Sequence, residues 1–275
     1  MKRLFERLLS LVMVVSMSFV SFGAAEYNLS DEIERAQVVT QYDDVEVDKI
    51  DTVLFGSYLQ NVEYTKEPIE WIVLEKDRIN RKALLLSKYI LDAGLYDYRD
   101  EIDYAHSQLN TFLNEGFIYK AFNEAEMSKI IKLGVGGSTE SPFDEKVFLL
   151  DVDQMKKYFP YQGPELSAVT LASNSDPLGL KSFAKATAYA KERGLEVQPE
   201  LEGVLGKGFG VFYDTFGKGF VDGISISQFY GTSPYWIKSV GFSDRACYAK
   251  SGNILYNGEI DGDVKGIRPA IWVTY

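Results

Sequence analysis

The chain closes with GIRPAIWVTY, residues 266–275, in which an arginine and a proline lead into a strongly apolar run. Chain ends usually fray, and a frayed tail would not need a tryptophan. We therefore predict a core strand that begins after Pro269, because proline has no backbone donor and belongs at the start or the edge of a strand. Arg268 directly precedes this strand. It can hold the strand by hydrogen bonds inside the domain, the role we favour, or it can bind an anionic ligand through its planar guanidinium group.

Residues 1–25 have the pattern of a secretory signal peptide, with a basic head, an apolar stretch over 8–22 and the small residues 23–25. The apolar stretch is shorter than the roughly 20 residues that span a bilayer, so we expect cleavage after Ala25 rather than a membrane anchor. We predict a secreted or cell-surface protein that has no membrane span after cleavage.

The charge of the chain limits its partners. The full chain has a net charge of −11. The signal peptide carries three cationic residues and one acidic residue, so its removal would leave −13. A surface of this charge repels phosphate backbones, which excludes nucleic acid as a class of partner.

Two residues that occur once each argue against several catalytic classes. Cys247 is the only cysteine, which excludes an internal disulfide, and we interpret it as a small buried hydrophobic residue. His106 is the only histidine and would have to serve any Ser-His-Asp or Cys-His set. We interpret it as a surface histidine at the start of a helix, and a lone histidine also argues against catalytic zinc.

The apolar periodicity predicts a mixture of strands and short helices. In EWIVLEK, residues 70–76, both faces are apolar, so we expect a central strand that is covered on both sides. Cap residues predict helices over 107–116, from Asn123 in a capping box, and over 181–194. Asn-Gly and Asp-Gly pairs predict antiparallel hairpins over 233–275.

The chain divides into a leader, a lead-in and one domain. After the signal peptide, residues 26–48 are predicted to be a helical or loosely ordered lead-in, and residues 49–275 a single α+β domain. Eight glycines lie between 203 and 231 with aromatic residues among them, which predicts a loop-rich insertion in this domain.

Eight short motifs follow one another along the chain: FGSY, EPIEWIVLE, KALLLSKYIL, LNTFLNEGF, KVFLLDVDQMKKYF, TAYAKERG, YWIKSVG and GIRPAIW. Their order resembles the bacterial domain-of-unknown-function family six-two-seven-three, whose members are largely exported or surface proteins of anaerobic bacteria. The resemblance covers residues from about 50 to 275. The chain departs from the family at residues 236–241, WIKSVG, where the family has Trp-Leu-Arg-Ser-Pro-Gly.

The family is distantly similar to the C-type-lectin-like fold, which includes the formylglycine-generating enzymes. This resemblance implies a mixed sheet with paired N- and C-terminal strands, flanking helices and a long glycine-rich loop region that displays the ligand site. It further implies that Trp71 and Trp272 share one core, with Arg268 as a structural residue beside them. Formylglycine chemistry relies on paired cysteines, and the single Cys247 argues against it.

Candidate ligand-binding residues lie in and beside the glycine-rich region. They are Tyr230, Tyr235, Trp236, Lys238, Asp244 and Arg245. Exposed rings on loops stack sugars or grip peptides, whereas the same rings can also fill the core beneath a long loop. We expect no metal or cofactor, and the alternative is calcium bound by Asp261 and Asp263 in the acidic hairpin EIDGDVKG.

These observations favour an exported binding or surface module without catalysis, whose ligand is a glycan or a protein. One alternative is a hydrolase that uses carboxylates in a cleft built by loops, since a glycosidase needs two facing carboxylates. Another alternative is a structural component of a cell-envelope assembly.

Overall fold

A computed structural model describes residues 28–43, 45–99, 103–133, 145–162, 175–197, 231–241, 245–250 and 252–275. The expected signal peptide and nearly all of the glycine-rich stretch lie outside the described residues. Two open, mostly antiparallel sheets and several short helices form an α+β fold, as predicted from the sequence.

The closing run of the chain is a central strand of the first sheet. This sheet has the order β1-β2-β3-β11-β5, and all its neighbours are antiparallel. Its strands are β1 Thr52–Leu59, β2 Lys66–Asp77, β3 Lys82–Ser87, β5 Val147–Phe148 and β11 Ala270–Thr274. Strand β11 begins directly after Pro269, as expected. It lies between β3 and β5, so the N-terminal strand β1 and the C-terminal strand β11 share a sheet without pairing to each other.

The first sheet separates two hydrophobic cores. On β2, Trp71 and Val73 enter the first core, which also contains the helix over 108–121. Ile72 and Leu74 of the same strand enter the second core, which also contains side chains of the second sheet. The prediction of a strand covered on both sides is therefore confirmed.

Trp71 and Trp272 lie on opposite faces of the first sheet, so the expectation that they share one core is wrong. Trp272 pairs with Leu84 of β3, and Ile72 pairs with Leu86 of the same strand. Residues directly opposite in an antiparallel pair share a face, and so do residues two apart on one strand. Trp272 therefore takes the face of Ile72, whereas Trp71 points to the other side.

The second sheet has the order β4-β10-β7-β8-β9-β6. Its strands are β4 Asp92–Gly94, β6 Ser175–Pro177, β7 Tyr235–Val240, β8 Ala246–Lys250, β9 Asn253–Gly258 and β10 Lys265–Ile267. The pair β10–β7 is parallel and the other pairs are antiparallel. The antiparallel pairs β7–β8 and β8–β9 confirm the predicted closing hairpins.

The helices are short. They are α1 Leu29–Arg35, α2 Gln108–Thr111, a π-helical segment Phe112–Phe117, α3 Ile118–Ala121, α4 Glu124–Lys129, α5 Val152–Tyr158 and α6 Ala188–Glu192. Ser107 caps α2, and Asn123 and Glu126 form the predicted capping box of α4. The helix expected to stop at Gly116 continues to Ala121, because Phe117 and Ile118 are buried in the first core and their packing outweighs the roughly 1 kcal/mol cost of an interior glycine.

The long helix predicted over 181–194 is replaced by an extended segment and the short α6. Lys185 forms a β-bridge with Thr232, and Ala186 forms one with Ile90. These long-range bridges hold the chain extended, so helix α6 starts only after its cap residue Thr187.

The lead-in belongs to the body of the domain. Leu29 and Ile33 of α1 are buried in the first core, and Val39 is buried in the second. The buried Lys181 also donates its Nζ to the carbonyls of Val39 and Tyr42. The described part of the lead-in is thus helical and packed rather than loosely ordered.

Candidate functional site

The lead-in and the first sheet enclose a groove of about 700 Å³, which we call the lead-in groove. Its walls come from three segments, which lie within 34–41, 74–78 and 157–158. The first segment ends α1 and enters a 3₁₀ turn, the second closes β2, and the third ends α5. The volume falls in the range of about 300–1,000 Å³ that is typical of small-molecule sites.

Hydrogen bonds from Lys76 hold the lead-in over the end of β2. Its Nζ donates to the carbonyl of Glu34 at 3.1 Å and also to the carbonyl of Ala36. Partial burial lowers the pKa of this lysine. The backbone N–H of Val38 donates to Gln41 Oε1 at 3.0 Å, which closes the adjacent turn. The hydrogen bonds of Lys76 therefore join the first wall segment, 34–41, to the second, 74–78.

Glu75, Lys157 and Tyr158 form a compact cluster that joins the second wall segment, 74–78, to the third, 157–158. The Oε2 atom of Glu75 accepts hydrogen bonds from Lys157 Nζ and Tyr158 Oη, both at 2.6 Å. These two bonds, from Lys157 first, lower the pKa of Glu75. Burial of the ring raises the pKa of Tyr158 to about 12. At neutral pH the cluster is thus an ionised carboxylate between an ammonium and a neutral phenol.

The groove lining is cationic although the chain is acidic. It contains four cationic and two carboxylate side chains, a net of two positive charges, whereas the whole chain carries −11. These residues are Arg35, Lys76, Arg78 and Lys157, with Glu34 and Glu75. The remaining polar lining consists of amide and hydroxyl residues, namely Gln37, Thr40, Gln41 and Tyr158.

Tyr235 and Trp236 do not present their rings to solvent. Tyr235 is 4% exposed and Trp236 is 1% exposed, because β7 is an interior strand whose alternate side chains enter the two cores. The Tyr235 hydroxyl donates to the Ser182 carbonyl at 2.7 Å, and Trp236 Nε1 donates to the Gly94 carbonyl at 2.9 Å. Their placement corrects the expectation of an exposed aromatic ligand surface at these two positions.

Lys238 and Arg245 form separate ion pairs away from the lead-in groove. Lys238 Nζ lies 2.9 Å and 3.0 Å from the two carboxylate oxygens of Glu145. Arg245 Nη1 lies 2.8 Å from Glu259 Oε1. The other two candidate ligand residues, Tyr230 and Asp244, lie outside the described residues.

Arg268 is enclosed in the domain, where it joins three separate segments. It is 1% exposed, and its Nε donates to the Ser87 carbonyl at 2.9 Å. Its Nη1 donates to the Ser182 carbonyl and to the Tyr235 hydroxyl, both at 3.2 Å. Its Nη2 has no hydrogen-bond partner among the described residues. These contacts give Arg268 a structural position between the two sheets.

The acidic hairpin pairs with a lysine. Asp263 Oδ2 accepts hydrogen bonds from Lys265 Nζ at 2.9 Å and from the Glu259 backbone at 3.0 Å. Burial opposes ionisation of Asp263, but these bonds outweigh it and lower the pKa of the carboxyl. Asp261 is exposed beside it. Within the described ranges, no three His, Cys, Asp or Glu side chains are grouped so that they could hold a metal ion.

The single cysteine and the single histidine have ordinary structural surroundings. Cys247 is 0% exposed, and burial raises the pKa of its thiol to about 12, so the thiolate form is rare at neutral pH. His106 is exposed at the end of a 3₁₀ turn, where its Nδ1 contacts Asp103 Oδ2. The neighbouring Ser107 hydroxyl caps α2 and donates to the Tyr104 carbonyl.

Sequence reasoning missed the residues of the lead-in groove. They lie in three segments up to 124 positions apart, between Glu34 and Tyr158, and only the packing of the lead-in brings them together. One local signal was present in the sequence. The charged run EKDR, residues 75–78, directly follows the apolar part of β2, where a buried strand meets solvent.

A comparison with known families matches residues 80–275 to the family described as "Domain of unknown function (DUF6273)". No curated protein and no solved structure is significantly similar to the chain. None of the described helices is both long enough and apolar enough to cross a membrane. The matched region begins after β2, so the motifs FGSY and EPIEWIVLE precede it, as do two of the three wall segments of the lead-in groove, 34–41 and 74–78. The match covers most of the chain, which therefore belongs to the DUF6273 family of domains of unknown function.

Proposed function

We propose that the chain is an exported, non-catalytic binding module that holds a glycan in the lead-in groove. The observation that carries this proposal is a groove of about 700 Å³ whose walls are predominantly polar. Export rests on the signal-peptide pattern of residues 1–25. A sugar presents many hydroxyl groups, and a polar wall can satisfy them as donors and as acceptors.

The chemistry of the lining favours a sugar over an apolar ligand. Gln37 and Gln41 bring amide groups, and Thr40 brings a hydroxyl group on an exposed residue. Amides and hydroxyls both donate and accept, as sugar hydroxyls do.

The carboxylates of the groove are placed for binding rather than for hydrolysis. A glycosidase needs one carboxylic acid that stays protonated until it transfers its proton. The pKa of Glu75 is lowered by Lys157 and Tyr158, so this carboxylate is ionised at neutral pH. Glu34 is engaged by Arg78 at 3.8 Å and by Arg81 at 3.7 Å. Binding is thus better supported than the hydrolase alternative.

A glycan array on the mature chain, residues 26–275, tests the proposal. Thr40→Trp fills the groove from an exposed position, and Ser128→Trp places the same side chain on the exposed face of α4 as a matched control. We expect the wild type and the control to bind the same glycans, and Thr40→Trp to bind them at least tenfold more weakly. A blank array, or binding that Thr40→Trp leaves unchanged, would overturn the proposal.

A further inference from the structure

We infer that the ligand of the lead-in groove is an acidic saccharide, a sugar chain that carries carboxylate groups. This inference rests on the proposed function and names the class of its ligand. The first observation is the reversal of charge: the lining has a net of two positive charges on a chain of net −11. The net negative charge of the chain disfavours anions in general, so a cationic groove is where an anionic ligand would accumulate.

The second observation is the exposure of three groove cations. The side chains of Arg35, Arg78 and Lys157 are 72%, 72% and 61% exposed. They come from three different elements, namely α1, the turn after β2, and α5. A single chain lying in the groove can therefore meet positive charge on both walls.

The present partners of the two arginines are weak competitors for a ligand. Arg35 Nη1 lies 3.3 Å from Glu32 Oε1, and Arg78 Nε lies 3.8 Å from Glu34 Oε2. Exposed pairs of this kind contribute about 0–1 kcal/mol, so a ligand carboxylate can replace a side-chain carboxylate at little cost. The planar guanidinium also accepts a carboxylate in a two-pronged geometry.

Lys157 and Lys76 have different roles in this arrangement. Lys157 donates to Glu75 at 2.6 Å and to the Tyr158 hydroxyl at 3.2 Å, so the third donor of its exposed ammonium is left for a ligand oxygen. Lys76 donates to two carbonyls of the lead-in and holds the groove in shape. We therefore assign ligand contact to Arg35, Arg78 and Lys157, and a positioning role to Lys76.

Calorimetric titration of the mature chain with three probes tests this inference. The probes are a galacturonate oligomer, a neutral dextran oligomer of equal length, and inorganic polyphosphate, which has charge without sugar. We expect binding of the galacturonate oligomer only, with an affinity that falls about tenfold or more between 50 and 200 mM NaCl, as expected when several charges are neutralised.

Variants locate the contact. Arg78→Gln and Lys157→Gln should each weaken galacturonate binding about fivefold to tenfold, as the loss of one charge-assisted hydrogen bond predicts. Lys191→Gln, which removes an exposed cation of α6 outside the groove, should leave it unchanged. Arg78→Gln and Lys191→Gln change exposed positions and should keep the melting temperature of the wild type. Lys157→Gln also removes the pair with Glu75, so it should lower the melting temperature by about 2–4 °C or less.

The outcomes separate this inference from the proposed function. Dextran binding that resists salt and is lost in Thr40→Trp would overturn the acidic ligand and keep the glycan module. Polyphosphate binding as tight as galacturonate binding would overturn the saccharide, since charge alone would suffice. An equal loss in Lys191→Gln, or no binding to any probe, would also overturn the inference.

Discussion

Four cationic side chains are buried among the described residues, and the chain holds them in two ways. Lys88 and Lys265 pair with the carboxylates of Glu70 and Asp263, at 3.0 Å and 2.9 Å. Lys181 and Arg268 instead donate to backbone carbonyls. For these two residues, backbone carbonyls take the place of a counter-charge. The acceptors of each cation lie far from it in the sequence, so each cation joins distant segments of the chain.

Replacement of Arg268 should show how much a buried cation bound to backbone carbonyls contributes to the stability of the fold. In Arg268→Ala the carbonyls of Ser87 and Ser182 lose a donor, and a cavity forms between the sheets. We expect a loss of about 3 kcal/mol in the free energy of unfolding, measured with urea. The exposed-site control Lys191→Ala should change it by about 0.5 kcal/mol or less. Equal values for the two variants would contradict a structural role for Arg268.

Glu75 should make stability depend on pH in the acid range. Its pKa in the folded chain lies below the ordinary value of 4.5, so its bonds to Lys157 and Tyr158 stabilise the fold fully above about pH 4.5. This contribution is lost as the pH falls through the lowered pKa. Glu75→Gln should therefore be less stable than the wild type at pH 7, by about 1 kcal/mol or less for a partly exposed pair.

Urea unfolding at pH 7, 5, 4 and 3 would measure this difference. The gap between wild type and Glu75→Gln should be constant at the two higher values and should shrink at the two lower values. A gap that widens toward pH 3 would show that the folded chain raises the pKa of this carboxyl instead.

Helices and strands could be predicted from local sequence signals where long-range packing favours the same structure. The apolar faces of β2, the strand after Pro269, the cap Ser107 and the capping box at Asn123 all follow from neighbouring residues. The prediction of a helix over 181–194 failed because the bridges of Lys185 with Thr232 and of Ala186 with Ile90 hold the chain extended just before Thr187. A single sequence carries no signal of such bridges.

The candidate site was less predictable than the fold. Tyr235 and Trp236 were interpreted from their position beside a glycine-rich stretch, but strand alternation places both in the cores. The groove cations, such as Arg78 and Lys157, look like ordinary surface charges in the sequence. Their grouping depends on where the lead-in docks, and docking of an N-terminal segment across a sheet is a long-range property.

Gly56 lies where the register of β1 against β2 shifts, between Leu54 and Ser57. It has φ +69°, and a Cβ there would lie 2.5 Å from the Phe122 ring and 2.8 Å from the Ala121 carbonyl. Gly56→Ala should therefore cost about 3 kcal/mol, from backbone strain and from overpacking against the end of α3.

Gly194 allows backbone strain to be measured without overpacking. Gly194 has φ +89°, and no described atom lies within 4 Å of an added Cβ. Gly194→Ala should cost only the backbone strain, about 1–2 kcal/mol. Chemical denaturation of both variants measures the difference, and equal losses would show that the contact with Phe122 relaxes freely.

At the scale of the whole molecule, the folding unit is larger than the matched region 80–275. Strand β3 pairs with β2 along most of its length, and β2 lies before residue 80. Removal of β2 uncovers one edge of β3 and removes Trp71 and Ile72 from the two cores. The family domain in this chain is therefore completed by the residues that precede it.

Truncation should reveal this dependence. A fragment of residues 80–275 should lack a cooperative thermal transition and should show weak near-ultraviolet circular dichroism, whereas 28–275 should show both signals of a packed fold. A fragment of residues 50–275, which lacks only the lead-in, should fold with a lower melting temperature, because Ile33 and Val39 no longer cover the cores. A sharp transition in 80–275 would refute this dependence.

Strand β11 gives Ile271 and Val273 to one core and Trp272 to the other. A fluctuation that loosens either core must therefore strain a strand that the other core needs. Strand β2 is shared between the two cores in the same way, so we expect the two cores to unfold together rather than one after the other.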